Sequence, residues 1–194
     1  LVYAGDLNVS KFGVFYNPLH PAADPWEYQT FGAWPDARPI AAGAVGALSV
    51  GTPTPGDDLI PLVNVAEFTG HSAGIYTTSD GESAYVTESD VIVDVDFLAR
   101  TLDFSTTNTL KTDLDADVVN WTAGPDIGGQ LEYVDGDNSF TGTVTGPGLI
   151  GNSTGQFYGP GAEELGGVFS LQGLGESLEN YSGAYGAAVV VPVP

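Results

Sequence analysis

The chain has 194 residues, a length that suits a single main domain with a hydrophobic core of ordinary size. Four Lys and Arg residues against 25 Asp and Glu residues give a formal net charge of -21 at pH 7, which repels phosphate backbones and anionic lipids. Nucleic acid is therefore disfavoured as a partner, and basic proteins or neutral ligands are favoured. The chain has no Cys, so disulfides, thiol catalysis and Cys-ligated metals are excluded.

Glycine and proline punctuate the whole chain. There are 27 Gly and 13 Pro residues, which favours short strands joined by turns over long helices. We therefore expect an all-β fold. The longest apolar run, at residues 185–194, is too short for a transmembrane helix and contains two prolines.

Residues 1–59 are predicted to form a short irregular N-terminal extension. This segment is rich in Pro, Ala and aromatic residues, and its pattern supports at most two short strands, near residues 11–16 and 28–34. Residues 60–194 are predicted to form the main domain, because strand patterns become regular there. The first of these patterns, residues 62–78, predicts two strands around Gly70 and Gly74.

The clearest strand lies within residues 85–104. Its apolar residues share one parity and its carboxylates share the other, namely Tyr85, Val91, Val93, Val95 and Phe97 against Glu88, Asp90, Asp94 and Asp96. This period of two residues is typical of a strand with one face inward and the other in water. A turn at residues 98–101 then leads into a strand at residues 102–106.

Further strands are predicted toward the C-terminus, at residues 117–122, 130–134, 140–145, 167–171 and 184–191. The sequence DGDN at residues 135–138 predicts a hairpin turn. Roughly eight consecutive strands with tight turns predict an eight-stranded antiparallel up-and-down β-barrel, because closure removes the sheet edges. A transmembrane barrel is the alternative, but the dense carboxylates on the polar parity favour a barrel in water.

Residues 155–171, GQFYGPGAEELGGVFSL, interrupt the strand pattern. Pro160 is suited to the first position of a helical turn, and residues 162–165 are helix formers. Gly166 or Gly167 can adopt the left-handed conformation that ends a helix. The segment therefore predicts a one-turn helix.

The adjacent carboxylates Glu163 and Glu164 are candidates for a catalytic acid pair. On a helical turn, neighbouring side chains point about 100° apart, so the two carboxylates would not face each other. A structural role is therefore the preferred interpretation, in which the carboxylates complement the helix dipole. One of them is expected to accept backbone N–H bonds at the barrel rim.

The same segment resembles a signature of the β-barrel domain of transferrin-binding protein B and its relatives, a family of bacterial surface lipoproteins and secreted proteins. Shorter pieces match in the same order at residues 28–34, 50–61, 68–70, 93–104 and 140–146. The signature positions are Phe157, Tyr158, Gly159, Pro160, Glu163, Glu164, Gly166, Gly167 and Phe169.

This resemblance implies a non-enzymatic binding protein on the bacterial cell surface, at the outer face of the outer membrane, or outside the cell. It would capture a host or environmental protein or an iron source. Two alternatives remain open, a structural or adhesive surface subunit that self-associates, and a haem-binding, haemophore-like protein. The first residue is Leu1, which we interpret as a processed or excised chain, and a lipid anchor upstream of it is an expectation of the resemblance.

The two histidines, His20 and His71, are the candidate haem ligands, with Tyr as the other ligand type, since the chain lacks Cys and Met. No catalytic residues are predicted. Neighbours on a strand point to opposite faces, so His71 and Ser72 do not form part of a Ser-His-Asp set. No cofactor is expected, and haem is the one that stays open.

One acidic segment has the opening spacing of a calcium loop. It contains Asp113, Asp115 and Asp117, but it lacks the glycine at the sixth loop position. Gly124 stands where the bidentate Glu of such a loop belongs. We interpret the segment as a solvated turn, and no metal ligands are predicted.

Overall fold

A computed structural model describes residues 26–35, 45–56, 65–113 and 120–190, and the backbone of residues 2–4, 7–10 and 13–16. The regular elements within these ranges are all β-strands. In chain order they are β1 (Val2–Ala4), β2 (Leu7–Ser10), β3 (Gly13–Tyr16), β4 (Gln29–Pro35), β5 (Val45–Gly51), β6 (Val65–Thr77), β7 (Ala84–Asp96), β8 (Thr101–Asp113), β9 (Thr122–Ala123), β10 (Gly128–Tyr133), β11 (Ser139–Gly146), β12 (Leu149–Tyr158), β13 (Glu164–Gly173) and β14 (Asn180–Val189).

Eight of these strands close into an antiparallel barrel in the order β6, β7, β8, β10, β11, β12, β13, β14. The last strand, β14, pairs with the first, β6, along ten residues from Asn180 to Val189. The two-residue strand β9 pairs with the far end of β8, beyond the part of β8 that pairs with β10. The predicted eight-stranded up-and-down barrel is confirmed.

Two details of the barrel differ from the sequence-based prediction. Strand β6 is one continuous strand, and Gly70 and Gly74 lie within it rather than at turns. They provide space inside the barrel, because a Cβ at Gly74 would lie 2.8 Å from the Tyr181 ring. Strand β12 was not predicted, since its Gly, Asn, Ser and Thr residues mask the alternation. Of the strand predicted at residues 117–122, the first half lies outside the described residues, and only Thr122 belongs to a strand in the other half.

Side chains fill the apolar half of the barrel interior. The alternation predicted for β7 is confirmed, because Val91, Val93 and Val95 are buried in the core. Phe157 is also fully buried. It contacts four other aromatic rings, with centroid distances of 6.4 Å to Phe68, 5.8 Å to Phe97, 5.5 Å to Tyr133 and 5.4 Å to Phe140.

The rest of the interior is lined by hydroxyl groups that bond to one another. The Thr87 hydroxyl donates to Tyr181 at 3.1 Å, and the hydroxyls of Ser153 and Tyr185 lie 3.0 Å apart. Burial raises the pKa of the Tyr181 and Tyr185 hydroxyls. These tyrosines therefore stay neutral and serve as hydrogen-bonding core residues.

The N-terminal extension contains five strands, β1 to β5, which form an antiparallel meander that we call the N-terminal sheet. The sequence supported only two strands here, corresponding to β3 and β4. The prediction missed the other three because strands of three to seven residues, such as β1 and β5, contain too few alternations to stand out.

The N-terminal sheet packs on the outer wall of the barrel. Phe31 of β4 is fully buried against Ala73 and Ile75 of β6 and Ala184 of β14. Phe68 of β6 points into the barrel. Ala73 and Ile75 have the opposite parity on the same strand, so their side chains lie on the outer face of the barrel. Trp26 packs edge-on against Phe31 with a centroid distance of 5.5 Å. This contact forms a second apolar cluster outside the barrel core.

Within the described ranges, no helix has the length and apolar character that crossing a membrane requires.

Candidate functional site

The signature segment joins β12 to β13 through a tight turn. Gly159 has φ +86°, Ala162 has φ +58°, and the Ala162 N–H donates to the Gly159 carbonyl at 3.5 Å. The predicted one-turn helix is wrong, because Tyr158 already pairs with Glu164 across the hairpin. Only residues 159–163 remain for the connection, and the left-handed backbone of Ala162 is incompatible with a right-handed helical turn there.

Gly166 and Gly167 lie within β13, and neither has a positive φ. Their predicted role as a helix stop is therefore wrong. Gly166 faces the N-terminal sheet, where a Cβ would lie 2.0 Å from Gln29 Oε1 and 2.8 Å from the Tyr185 carbonyl oxygen. Gly167 faces the core, where a Cβ would lie 2.5 Å from the Thr154 carbonyl oxygen. Both positions need glycine for close packing.

We expect Gly166→Ala to lower the free energy of unfolding by about 1–3 kcal/mol. Gln29 cannot move away freely, because its Nε2 donates to the Leu165 carbonyl at 2.7 Å in a buried position. Urea denaturation checks this effect, and Gly161→Ala is the matched control in the same segment. The three atoms nearest to a Cβ at Gly161 all belong to the side chain of Glu163, the first of them at 3.2 Å. Equal midpoints for the two variants would contradict the close approach of the sheet to β13.

Glu164 connects the N-terminal sheet to the barrel. Its side chain is only 2% exposed, and its Oε1 accepts the Glu27 N–H at 2.7 Å. The Tyr28 N–H lies 3.3 Å from the other carboxylate oxygen. Burial raises the pKa of the Glu164 carboxyl, while the backbone N–H donors partly oppose that shift. Glu163 instead accepts the Gly161 N–H at 2.9 Å within its own turn.

The other signature residues are divided between the barrel core and the contact with the N-terminal segment. Phe157 and Phe169 lie in the core. The Tyr158 hydroxyl lies 3.0 Å from the Ser49 hydroxyl of β5, and the Gly159 carbonyl accepts the Thr54 hydroxyl at 2.6 Å. Pro160 is exposed at the tip of the turn. The two carboxylates point to different partners and form no acid pair.

A groove of about 330 Å³ opens between β5 and the outer wall of the barrel. Ser49 lines one side. Thr154, Gln156 and Val168 of β12 and β13 form the floor together with glycine backbone, and none of the lining residues is charged. Behind Gly166, one of the lining residues, lies the buried side-chain oxygen of Gln29, which has no hydrogen-bond partner among the described residues. The groove can therefore form hydrogen bonds with a ligand that is narrow enough to enter it.

The family whose model matches residues 60–189 is described as the C-lobe and N-lobe beta barrels of Tf-binding protein B. The chain belongs to this family of transferrin-binding protein B barrels. A comparison with curated proteins finds no match.

Two solved structures of transferrin-binding protein B illustrate the shared fold. A single-site mutant of the Haemophilus parasuis Hp5 protein is 22% identical over 91% of this chain, with a TM-score of 0.57. The isotype 1 protein of serogroup B Neisseria meningitidis is 17% identical over 98% of this chain, with a TM-score of 0.60. The present chain covers 35% and 34% of those two chains, about one third of each.

Of the two candidate haem-ligating histidines, the described part of this transferrin-binding protein B-type barrel contains one, His71. His71 lies on the outer face of β6, with its Nδ1 3.8 Å from Asp90 Oδ1, and His20 lies outside the described residues. The described ranges contain no group of three or more His, Asp or Glu side chains that could hold a metal ion. Asp113 ends β8, and the other two aspartates of the acidic segment, Asp115 and Asp117, are not among the described residues.

Charge is unevenly distributed around the barrel wall. The outward positions of β7 include Glu88, Asp90 and Asp94, which form an acidic face. In contrast, the strands β11 to β14 contain one acidic residue, the buried Glu164, and no Lys or Arg. Their outward positions are occupied mainly by Thr, Asn, Ser and Gln, and the groove lies on this uncharged face. The sequence reasoning missed the site, although the lack of charge along these strands was a usable signal.

Proposed function

We propose that the chain is a non-enzymatic binding protein of a bacterial surface or of the extracellular medium, and that it captures a protein partner. Iron-carrying proteins of the transferrin type are the first candidates, since the two similar structures are named as transferrin-binding proteins. The observation that carries the proposal is the membership of the barrel in this family.

The packing of the barrel supports recognition on its outer surface. Phe157 and its four aromatic neighbours fill the apolar half of the interior, so a ligand of protein size contacts the outside wall. A formal net charge of -21 favours a partner with a basic or neutral surface and speeds its encounter with the chain.

Binding of the intact chain to a panel of iron-carrying proteins tests this function. The chain is immobilised, and iron-loaded transferrin, iron-free transferrin and an unrelated acidic serum protein are titrated over it at low and high salt. We expect saturable binding of a transferrin-type protein, with slower association at high salt because screening weakens electrostatic steering. The unrelated acidic protein is expected not to bind.

Two outcomes would overturn the proposal in favour of its alternatives. Concentration-dependent self-assembly in sedimentation experiments, without binding of any panel member, would support a structural or adhesive subunit. A saturable Soret shift on titration with haemin, abolished by His20→Ala or His71→Ala, would support a haem-binding protein.

A further inference from the structure

Among the described strands, β5 has one edge that pairs with no other strand, which we call its free edge. It is the outermost strand of the N-terminal sheet and pairs only with β4 among the described strands. The Thr52 N–H donates to the Tyr28 carbonyl at 2.8 Å. This bond shows which backbone groups of β5 face β4 and which face away from it. Because these groups alternate along an antiparallel pair, the N–H and C=O groups of Ala47 and Ser49 point away from β4.

This free edge borders the uncharged groove. Ser49 lines the groove, and Thr154 and Gln156 form its floor on the outer wall of the barrel. A strand that pairs with β5 would lie about 4.8 Å from it, over that floor. The bridge between Pro53 and Tyr158 closes one end of the groove, which limits the registers that an added strand can take.

Natural edge strands are usually protected by charged residues, prolines or bulges. The sequence of β5, VGALSVG, contains neither charge nor proline, and its register with β4 is regular throughout. The facing wall is uncharged as well. An unprotected edge above a neutral, hydrogen-bonding floor is the arrangement that binds an added strand through its backbone.

Charge decides between the candidate occupants. A second copy of the chain would also carry a net charge of -21, and the two copies would repel each other. An uncharged or basic segment of another protein meets no such barrier. We propose that the β5 edge and the groove form a strand-addition site for an extended, uncharged or basic segment of a partner protein. This inference rests on the proposed function and names its mode of recognition.

A library of random peptides displayed on phage, panned against the intact chain, tests the site. We expect the enriched peptides to have β-branched residues at alternate positions and few Asp or Glu residues. In synthetic versions, N-methylation of every second amide should weaken binding at least about tenfold, since it removes the bonds to β5. N-methylation of the intervening amides should change the dissociation constant by less than about twofold.

Two substitutions on the barrel wall form a matched pair. Thr154→Trp fills the groove, whereas Thr143→Trp places the same side chain on an exposed position of β11 outside the groove. We expect Thr154→Trp to weaken peptide binding at least about tenfold and Thr143→Trp to leave it unchanged. Ala47→Pro is a second variant, which removes a free-edge N–H without touching the bonds to β4, and it should weaken binding similarly.

Three outcomes of the peptide and dimerisation experiments would overturn the inference, and a fourth comes from the panel of iron-carrying proteins. In the first, no enriched peptide depends on Thr154 for binding. In the second, N-methylation of either set of amides changes the dissociation constant equally. In the third, the chain forms a dimer that Thr154→Trp dissociates. The last would assign the groove to a second copy. If a transferrin-type protein binds and Thr154→Trp does not weaken it, the strand-addition site fails and the proposed function stands. If peptides bind at the groove and no panel protein does, the proposed function fails instead.

Discussion

Replacing Phe157 with alanine is expected to lower the free energy of unfolding by about 3–5 kcal/mol. Phe157 is fully buried and contacts the rings of Phe68, Phe97, Tyr133 and Phe140. Its removal would leave a cavity at the meeting point of strands from opposite sides of the barrel. Three of the surrounding rings are held by strands and Phe97 by the turn after β7, so they cannot collapse into that space. Urea denaturation followed by far-UV circular dichroism measures the loss.

Leu174→Ala is the matched control for this change. Leu174 is 59% exposed, so its truncation removes little buried area and should change the free energy of unfolding by less than about 0.5 kcal/mol. A loss below about 1 kcal/mol for Phe157→Ala would contradict the packing of the aromatic cluster, because even partial cavity formation costs more than that.

Glu164→Ala is expected to lower the free energy of unfolding by about 2–3 kcal/mol, because it leaves partly buried backbone donors without their acceptor and empties the buried position of the side chain. Those donors are the N–H groups of Glu27 and Tyr28, directly before β4 of the N-terminal sheet. The sheet should therefore loosen before the barrel unfolds. Tryptophan fluorescence reports this loosening, since Trp26 and Trp121 pack in or against the apolar cluster beneath the sheet.

Glu163→Ala is the control for the anchoring role of Glu164. The Glu163 carboxylate bonds to Gly161 within the turn, so its removal should leave the tryptophan signal unchanged. If both variants shift the fluorescence midpoint equally, the turn and not the buried carboxylate holds the sheet. If neither shifts it, the sheet depends on the apolar cluster alone.

Glu164→Gln adds a test of pH dependence. The pKa of the Glu164 carboxyl is raised above its ordinary value of 4.5 by burial, so the folded chain retains a proton that the unfolded chain releases. The resulting contribution to stability is complete below pH 4.5 and is lost as the pH rises through the folded value. We expect the native chain to lose stability relative to the Gln variant as the pH rises above 4.5. A constant difference would contradict the raised pKa.

The barrel was predictable because its evidence is local and repeated. On β7, carboxylates such as Asp90 and Asp94 alternate with Val91, Val93 and Val95. Any fold that buries the valine face of this segment must therefore place the carboxylate face in water. The turn at residues 135–138 was equally readable. The Gly, Asn, Ser and Thr residues of β12 carried no comparable signal, and only its pairing with β11 and β13 makes it a strand.

The signature segment shows where local preference fails. Pro160, Ala162 and Leu165 favour a helical turn in isolation, yet the pairing of Tyr158 with Glu164 forces a hairpin. A single helical turn supplies few hydrogen bonds of its own, so the ladder between β12 and β13 prevails. The same glycines that suggested a helix stop are needed for contact with the N-terminal sheet.

The sequence by itself determined the all-β class, the closed barrel, the acidic surface and the resemblance to the transferrin-binding protein B barrel, because each depends on composition, alternation or a contiguous segment. Tertiary structure alone decided that Glu164 anchors residues 27 and 28, that Gly166 faces Gln29, and that Ser49 and Gln156 line one groove. These partners are more than a hundred residues apart along the chain. Their meeting follows from how the N-terminal sheet packs on the barrel, which no local pattern encodes.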